Sequence, residues 1–232
     1  MKIQLVSQTK FMVYRMLKKT LLPILSIFLF SACSFKMPEF NMPSFLSFSD
    51  DKDTIALEKA NICQKIEDLN DKLFCYKKIL NENSYAQLRM GTYSVEKKDY
   101  KKAIEYLNQS INNKNPYANL PLAFLYYKGE GVEKDIDKSF KLLSDSSNVD
   151  PTAAYQLSRF YLQGINTKID PKKGIELLEF SASKNMLAAQ EMLVTIYKDG
   201  LFSQEKDPKK VKYWQDIIKK DIRDTNFDIY KI

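Results

Sequence analysis

Along the second half of this chain the apolar positions follow a helical period, and one outline returns. Leu122 and Tyr126 stand four apart, as do Leu157 and Tyr161, and Leu193 and Tyr197. Residues at i and i+4 share one helix face, so each pair predicts a packing ridge. Three residues after each Tyr comes a glycine: Gly129, Gly164 and Gly200. Glycine supplies the left-handed residue that ends a helix. Beyond each glycine stands an Asp (Asp135, Asp170, Asp207) placed to cap a second helix, and Pro171 and Pro208 follow two of these caps. A regular return of about 35 residues predicts hairpins that bury their apolar faces only against neighbours. The expected fold class is all-α: an α/α solenoid of stacked antiparallel helix hairpins.

The pattern extends upstream in weaker form. Residues 84–115 read as a hairpin without the glycine turn, in which Gly91 and Ala103 allow two helices to cross closely and Asp99-Tyr100-x-x-Ala103-Ile104-x-x-Leu107 is the second helix. Further units are expected over 116–149, 150–186 and 187–220. Asn113, Asn148 and Asn185 are expected to close second helices in the left-handed conformation. Residues 221–232 read as a short C-terminal cap or frayed tail.

Residues 53–83 predict another helical hairpin. Ile55, Ile62, Ile66 and Leu69 line one side, and Leu73, Tyr76, Ile79 and Leu80 the next. Cys63 and Cys75 would lie about 18 Å apart in one straight helix, too far to bond. Folded back near Asp68–Asp71, they face each other. An oxidising compartment favours a disulfide; two buried free thiols are the other reading.

The repeats resemble the Sel1-like repeat, a helix-hairpin relative of the tetratricopeptide repeat. Leu122, Tyr126, Gly129, Gly131, Val132, Asp135, Lys138 and Ser139 match or approach its pattern; so do Ala154, Leu157, Tyr161, Gly164 and Asp170, and then Leu193, Tyr197, Gly200, Asp207 and Trp214. The small residue after Leu is Ala123, Ser158 and then bulky Val194, and the later units lack the full Gly-x-Gly. The resemblance covers about 84–220. It implies a superhelix with a concave surface lined by first helices; from position alone, and not from any motif, Tyr127, Lys128, Tyr155, Arg159, Phe160 and Lys198 are the residues expected to be exposed there and to bind a partner. Such grooves take peptides or helices. Cys63…Lys72-Leu73-Phe74-Cys75-Tyr76 also loosely resembles a Cys…Arg-Leu-x-Cys-Tyr-Asp signature of exported bacterial proteins.

The N-terminus changes where such a scaffold would sit. Residues 1–32 read as a signal peptide: Lys18-Lys19, an apolar run from Leu21 to Phe30, and a small-residue ending. The run is shorter than the roughly 20 residues that span a bilayer. Met1, Met12 or Met16 could start it. Phe30-Ser31-Ala32-Cys33 resembles a bacterial lipobox, which implies diacylglycerol on the Cys33 thiol, cleavage before it and acylation of the new amine. Several acyl chains anchor durably where one would not. Ser34 rather than Asp after Cys33 favours, by resemblance to lipoprotein sorting, the outer membrane and its periplasmic side. An ordinary secretory signal or an uncleaved anchor are the alternatives. Residues 33–52, with Met37-Pro38-Glu39-Phe40 and Met42-Pro43-Ser44-Phe45, read as a lipid-anchored extended tether.

Charge and chemistry then narrow the function. The formal net charge is +7, but five Lys and Arg and no acid precede Cys33. Removing that segment leaves 31 basic residues against 29 acidic ones. Nucleic-acid binding has no electrostatic footprint here. The chain has no His, so no Ser-His or Cys-His pair and no His-bearing zinc site. No phosphate-binding glycine loop occurs. Ser-x-x-Lys recurs at Ser7, Ser94, Ser181 and Ser203, a spacing shared with β-lactam-reactive serines, but without the Ser-Asp-Asn and Lys-Thr-Gly companions. Asp224-x-Asn226-x-Asp228 lacks the glycine and length of a calcium loop. The expected function is a non-enzymatic scaffold with no cofactor or metal, whose partners are other envelope proteins of secretion or cell-wall machinery; the alternative is a cell-wall-active or β-lactam-binding enzyme. A passive link between membrane and wall is a third reading.

Overall fold

The computed structural model describes residues 52–220, 222, 224–225 and 228–232. The segment expected to be a signal peptide, Cys33 and residues 33–51 of the expected tether lie outside the described residues. Among the described residues there are ten α-helices, two 3-10 turns and no strand. α1 (Lys52–Gln64) and α2 (Leu69–Ile79) form the first hairpin. α3 (Ser84–Glu96) pairs with α4 (Tyr100–Asn112). A 3-10 turn over Pro116–Ala118 leads into α5 (Asn119–Lys128), which pairs with α6 (Ile136–Ser146). α7 (Pro151–Gln163) pairs with α8 (Pro171–Ser183), and α9 (Leu187–Asp199) with α10 (Pro208–Ile218). The chain is a Sel1/tetratricopeptide-like solenoid of stacked hairpins.

Three turns are built alike. Gly129, Gly164 and Gly200 sit at φ 75°, 69° and 73°. Their N–H groups return to the carbonyls of Leu125, Phe160 and Ile196 and close the first helices. The N–H groups of Asp135, Asp170 and Asp207 then each donate to the carbonyl of Tyr126, Tyr161 or Tyr197 at 2.9 Å. The same three Asp side chains accept from backbone N–H groups three residues on and open the second helices. Ties at both ends fix the angle between the two helices of a unit. The α3–α4 connection is shorter: Lys98 takes the left-handed role at φ 59°, and Asp99 N–H bonds Ser94 O at 2.9 Å.

Close crossing is achieved differently from unit to unit. A Cβ on Gly91 would come within 2.8 Å of Leu107, so in α3–α4 the missing side chain is on the first helix. In α7–α8 it is on the second, where a Cβ on Gly174 would meet Leu162 at 2.7 Å. A side chain on Gly131, at φ 73°, would run into Cβ of Tyr100, so the second glycine of Gly-x-Gly lets the α5–α6 turn settle on α4.

The closing residues of second helices depart in part from expectation. Asn185 is left-handed at φ 64°, but after α4 the left-handed residue is Lys114 at φ 66°, with Asn113 at φ −84°, and Asn148 has no positive φ. Asn113 instead uses its side chain, donating to Gln87 Oε1 at 2.9 Å.

The core lies in three clusters along the stack. Tyr76, Leu88, Leu107, Leu122 and Leu125 are buried at the N-terminal end. Leu120, Leu143, Leu157 and Phe160 fill the middle, and Leu178, Leu193, Ile196 and Trp214 the far end. Asn83 joins the first hairpin to the stack, accepting from Ala86 N–H as the cap of α3 while donating to Ala56 O at 2.8 Å. No described helix is long and apolar enough to cross a membrane.

Candidate functional site

Much of the repeat motif has structural work. Lys138, Lys173 and Lys210 stand over the rings of Tyr126, Tyr161 and Tyr197 at 4.1, 4.5 and 4.3 Å. Lys138 and Lys210 also donate to the Tyr126 and Tyr197 hydroxyls at 2.6 and 2.9 Å. The hydroxyl of Tyr161, in turn, holds the Lys173 ammonium somewhat above the ordinary lysine range. Each pair ties the first helix of a hairpin to the start of the second. In α3–α4 the Tyr position is occupied by Ser94, and Lys102 turns to Asp99 at 2.6 Å instead.

The first-helix face is where side chains are left over. Thr92, Phe124 and Arg159 each follow the small crossing residue of their helix (Gly91, Ala123, Ser158), so they face the same way. Phe124, Tyr127, Gln156, Arg159 and Phe160 line a cleft of about 80 Å³ between α5 and α7. Tyr127 and Phe160 meet at 5.8 Å between ring centroids. Of the residues expected to be exposed in the groove, Tyr127 and Arg159 meet there from exposed positions, whereas Phe160 is buried core at 5% exposure and only floors the cleft. The other three stand apart from this cleft. Lys128 pairs with Glu130 at 3.8 Å beside the turn. Tyr155 packs toward the Leu162–Trp214 cluster. Lys198 is exposed near the end of α9.

Sequence reasoning missed a second feature of the same face. The last residues of the chain return to its N-terminal end. Gln64 Nε2 donates to the carbonyls of Asp228 and Lys231 at 3.0 and 3.1 Å. Arg89 Nε donates to Ile229 O at 3.1 Å, and Thr92 Oγ1 to Tyr230 O at 2.6 Å. The Tyr230 hydroxyl donates to Asp150 Oδ2, and its ring meets Tyr117 edge-on at 6.4 Å. Ile229, Tyr230 and Ile232 all pack on the N-terminal core. The stretch read from sequence as a short cap or frayed tail is thus an attached segment over residues 228–232.

Two buried ionisable groups hold it. Arg89 is only 1% exposed, and its other bonds go to Asn61 Oδ1 at 2.7 Å and the Tyr76 hydroxyl at 3.3 Å. Burial raises the Tyr76 pKa, and the Arg89 charge offsets part of that rise. Asp150 is also 1% exposed and caps α7 through Thr152 N–H at 2.9 Å. Burial pushes its carboxyl above the ordinary aspartate range; the bonds from Tyr230 and the backbone pull it partly back. Burial likewise holds the Tyr230 hydroxyl well above the usual phenol range, so at neutral pH it is the donor. The available signals were a lone Arg in a first helix whose other charge is Glu96 at its last position, and an Asp-Pro cap at 150–151 that looked like any other.

Cys63 and Cys75 are disulfide-bonded with their Cα atoms 5.5 Å apart, joining α1 to α2. The described serines of the Ser-x-x-Lys spacings split. Ser181 is fully buried and donates to Pro151 O at 2.8 Å, and Ser94 is buried and donates to Met90 O at 2.8 Å. Ser203 lies in the exposed turn after Gly200. Among the described residues no cluster of three or more Cys, Asp or Glu could hold a metal.

The family whose sequence profile matches is the Sel1 repeat, over residues 84–115, 116–145 and 151–186. The chain is 30% identical over 102 residues to the alginate biosynthesis protein AlgK of Pseudomonas syringae pv. tomato, covering 44% of this chain and 22% of that one. It is 41% identical over 54 residues to the ERAD-associated E3 ubiquitin-protein ligase component HRD3B of Arabidopsis thaliana, covering 23% and 9%. The chain therefore spans about a fifth or less of the length of these curated relatives. Its fold matches a Sel1 repeat protein from Oxalobacter formigenes at TM-score 0.63 and 20% identity, over 73% of this chain and 71% of that one. It matches c5321, a protective antigen of uropathogenic Escherichia coli with an SLR fold, at TM-score 0.57 and 22% identity, over 77% and 40%.

Proposed function

Because this chain carries Sel1 repeats, we propose that it is a non-enzymatic scaffold that binds other proteins on its first-helix face while lipid on Cys33 ties it to a bacterial outer membrane, facing the periplasm. One observation carries the binding half. The motif's Tyr, Lys, Asp and Gly residues are absorbed in holding hairpins together, whereas Phe124, Tyr127 and Arg159 converge on an open cleft, where Arg159 reaches only Gln156 on its own helix and Tyr127 has only a distant Lys134 at 5.9 Å over its ring. The lipobox-like Phe30-Ser31-Ala32-Cys33 supports the anchor, and the Cys63–Cys75 bond suits an oxidising compartment. A relative named for alginate biosynthesis supports a partner in polysaccharide-secretion or other envelope machinery. The enzymatic alternative is disfavoured at two of its serines: a nucleophile must reach a substrate, and Ser94 and Ser181 spend their hydroxyls on buried carbonyls.

Crosslinking in intact cells followed by pull-down tests the scaffold: a discrete envelope partner is expected, weakened when Arg159 and Tyr127 become Ala. Recovery of no protein, or of peptidoglycan alone, sinks it. Fractionation tests the anchor: Cys33→Ser should leave the membrane.

A further inference from the structure

We propose that the socket now seating residues 228–232 is a binding site for a segment of a partner protein, one that presents a tyrosine between branched aliphatic side chains on a single helical turn. The chain's own C-terminus holds the place until such a segment displaces it. This deepens the scaffold reading and rests on it.

The geometry is that of ligand recognition. Gln64, Arg89 and Thr92 send four hydrogen bonds to main-chain carbonyls of Asp228, Ile229, Tyr230 and Lys231. Carbonyls are common to every peptide, so these bonds position a backbone without reading its sequence. Identity is read elsewhere, by Asp150 taking the Tyr230 hydroxyl and by the apolar seat of Ile229 and Ile232. A permanent core contact is made more cheaply by apolar groups than by a buried guanidinium and a buried carboxylate. Here Arg89 and Asp150 each meet the tail through one hydrogen bond and spend the others on Asn61, Tyr76 and the α7 cap, so both stay partnered when the tail leaves.

The socket also continues into the open cleft. Tyr230 packs on the cluster containing Ala123, Leu143 and Phe160, and those three residues line the cleft. Thr92, which holds the tail, occupies the same register position as Phe124 and Arg159. A partner longer than the tail would run from the socket onto Phe124, Tyr127 and Arg159. The tail competes from within the molecule. Nine residues separate Ile218 from Asp228, a reach of at most roughly 35 Å. A tether that short gives an effective concentration on the order of millimolar, so a free segment sees its affinity reduced by the fraction of sockets left open.

The test uses the purified full chain and a fluorescent peptide of sequence Thr-Asn-Phe-Asp-Ile-Tyr-Lys-Ile, read by anisotropy. Tyr230→Ala should raise the affinity for this peptide at least roughly tenfold over wild type, since the tail loses its bond to a buried carboxylate. The peptide with Phe for Tyr should bind that variant roughly tenfold more weakly. Tyr230→Phe removes one oxygen and secures the result if the Ala variant does not fold; it should give a smaller rise in the same direction. Equal peptide affinity in wild type and both variants overturns the proposal and shows the tail to be a fixed strut. Because no cellular partner enters this assay, its failure leaves the scaffold reading to the crosslinking experiment.

Discussion

The two ends of the solenoid are held by different physics. The last two hairpins, α7–α8 and α9–α10, rest on the repeat itself: a left-handed glycine, an Asp cap, a lysine over a tyrosine ring, and a buried seam of Leu178, Leu193 and Ile196. The first two, α1–α2 and α3–α4, lack that glycine turn and that Tyr–Lys pair. They are held by bonds between residues distant in sequence: Cys63 to Cys75, Asn83 to Ala56, Arg89 to Asn61, and the returning C-terminus. A repeat stabilises by nearest-neighbour terms that can be read one unit at a time. The N-terminal end gains its order from contacts that close long loops.

The largest expected effect is at Arg89. Arg89→Ala strands Asn61, Tyr76 and the Ile229 carbonyl in one step, and should cost about 3 kcal/mol or more in urea unfolding. The comparison makes the loss local: amide exchange should quicken in α1–α4 and stay unchanged in α9–α10. Uniform quickening would mean that both ends unfold as one unit.

Reduction of Cys63–Cys75 comes next, at about 2–4 kcal/mol. A thermal melt with and without reductant measures it, and Cys63→Ala with Cys75→Ala should reproduce it. A loss felt first in α9–α10 would contradict the division of labour between the ends.

Gly131→Ala probes the boundary where the repeat chemistry begins. Its φ of 73° strains any side chain, and the added methyl would meet Tyr100. The cost should be about 1–3 kcal/mol. Gly200→Ala has the same φ, but the added methyl would meet the Gln204 carbonyl at 3.2 Å rather than press into a side chain, so it should cost less. Equal costs would show that backbone strain alone decides.

How far the fold could be read from the chain follows the same division. Leu122–Tyr126–Gly129–Asp135 and its two echoes each report local events, a helix face, a helix end and a cap, so all-α stacked hairpins were legible. Tyr127, Arg159 and Phe160 were chosen only for their place on first helices, and they meet at the cleft because that place carries side-chain direction, though Phe160 arrives there as buried core. Tyr155 and Lys198 could not be placed that way: Tyr155 turns to the neighbouring hairpin, a tertiary choice. Arg89 and Tyr230 are 140 positions or more apart in sequence, and nothing within either stretch announces the other. Only folding back the whole stack brings them to one face.

The smallest effect tests the joint between the two regimes, where Asp150 caps a repeat helix and also receives the tail. Its carboxyl titrates above the ordinary aspartate value, chiefly because it is buried. The folded chain therefore keeps this proton at pH values where the unfolded chain has released it. Stability from this group is fully present below an ordinary aspartate pKa of about 4 and is lost as pH rises through the raised value. Asp150→Asn retains a good helix cap but cannot ionise. Relative to wild type, its melting temperature should climb as pH rises from about 4 toward neutrality, with the climb confined to that window. A flat difference across the window would show that the Tyr230 and backbone hydrogen bonds fully offset the burial, and the tail would then be seated as firmly on a charged carboxylate as on a neutral one.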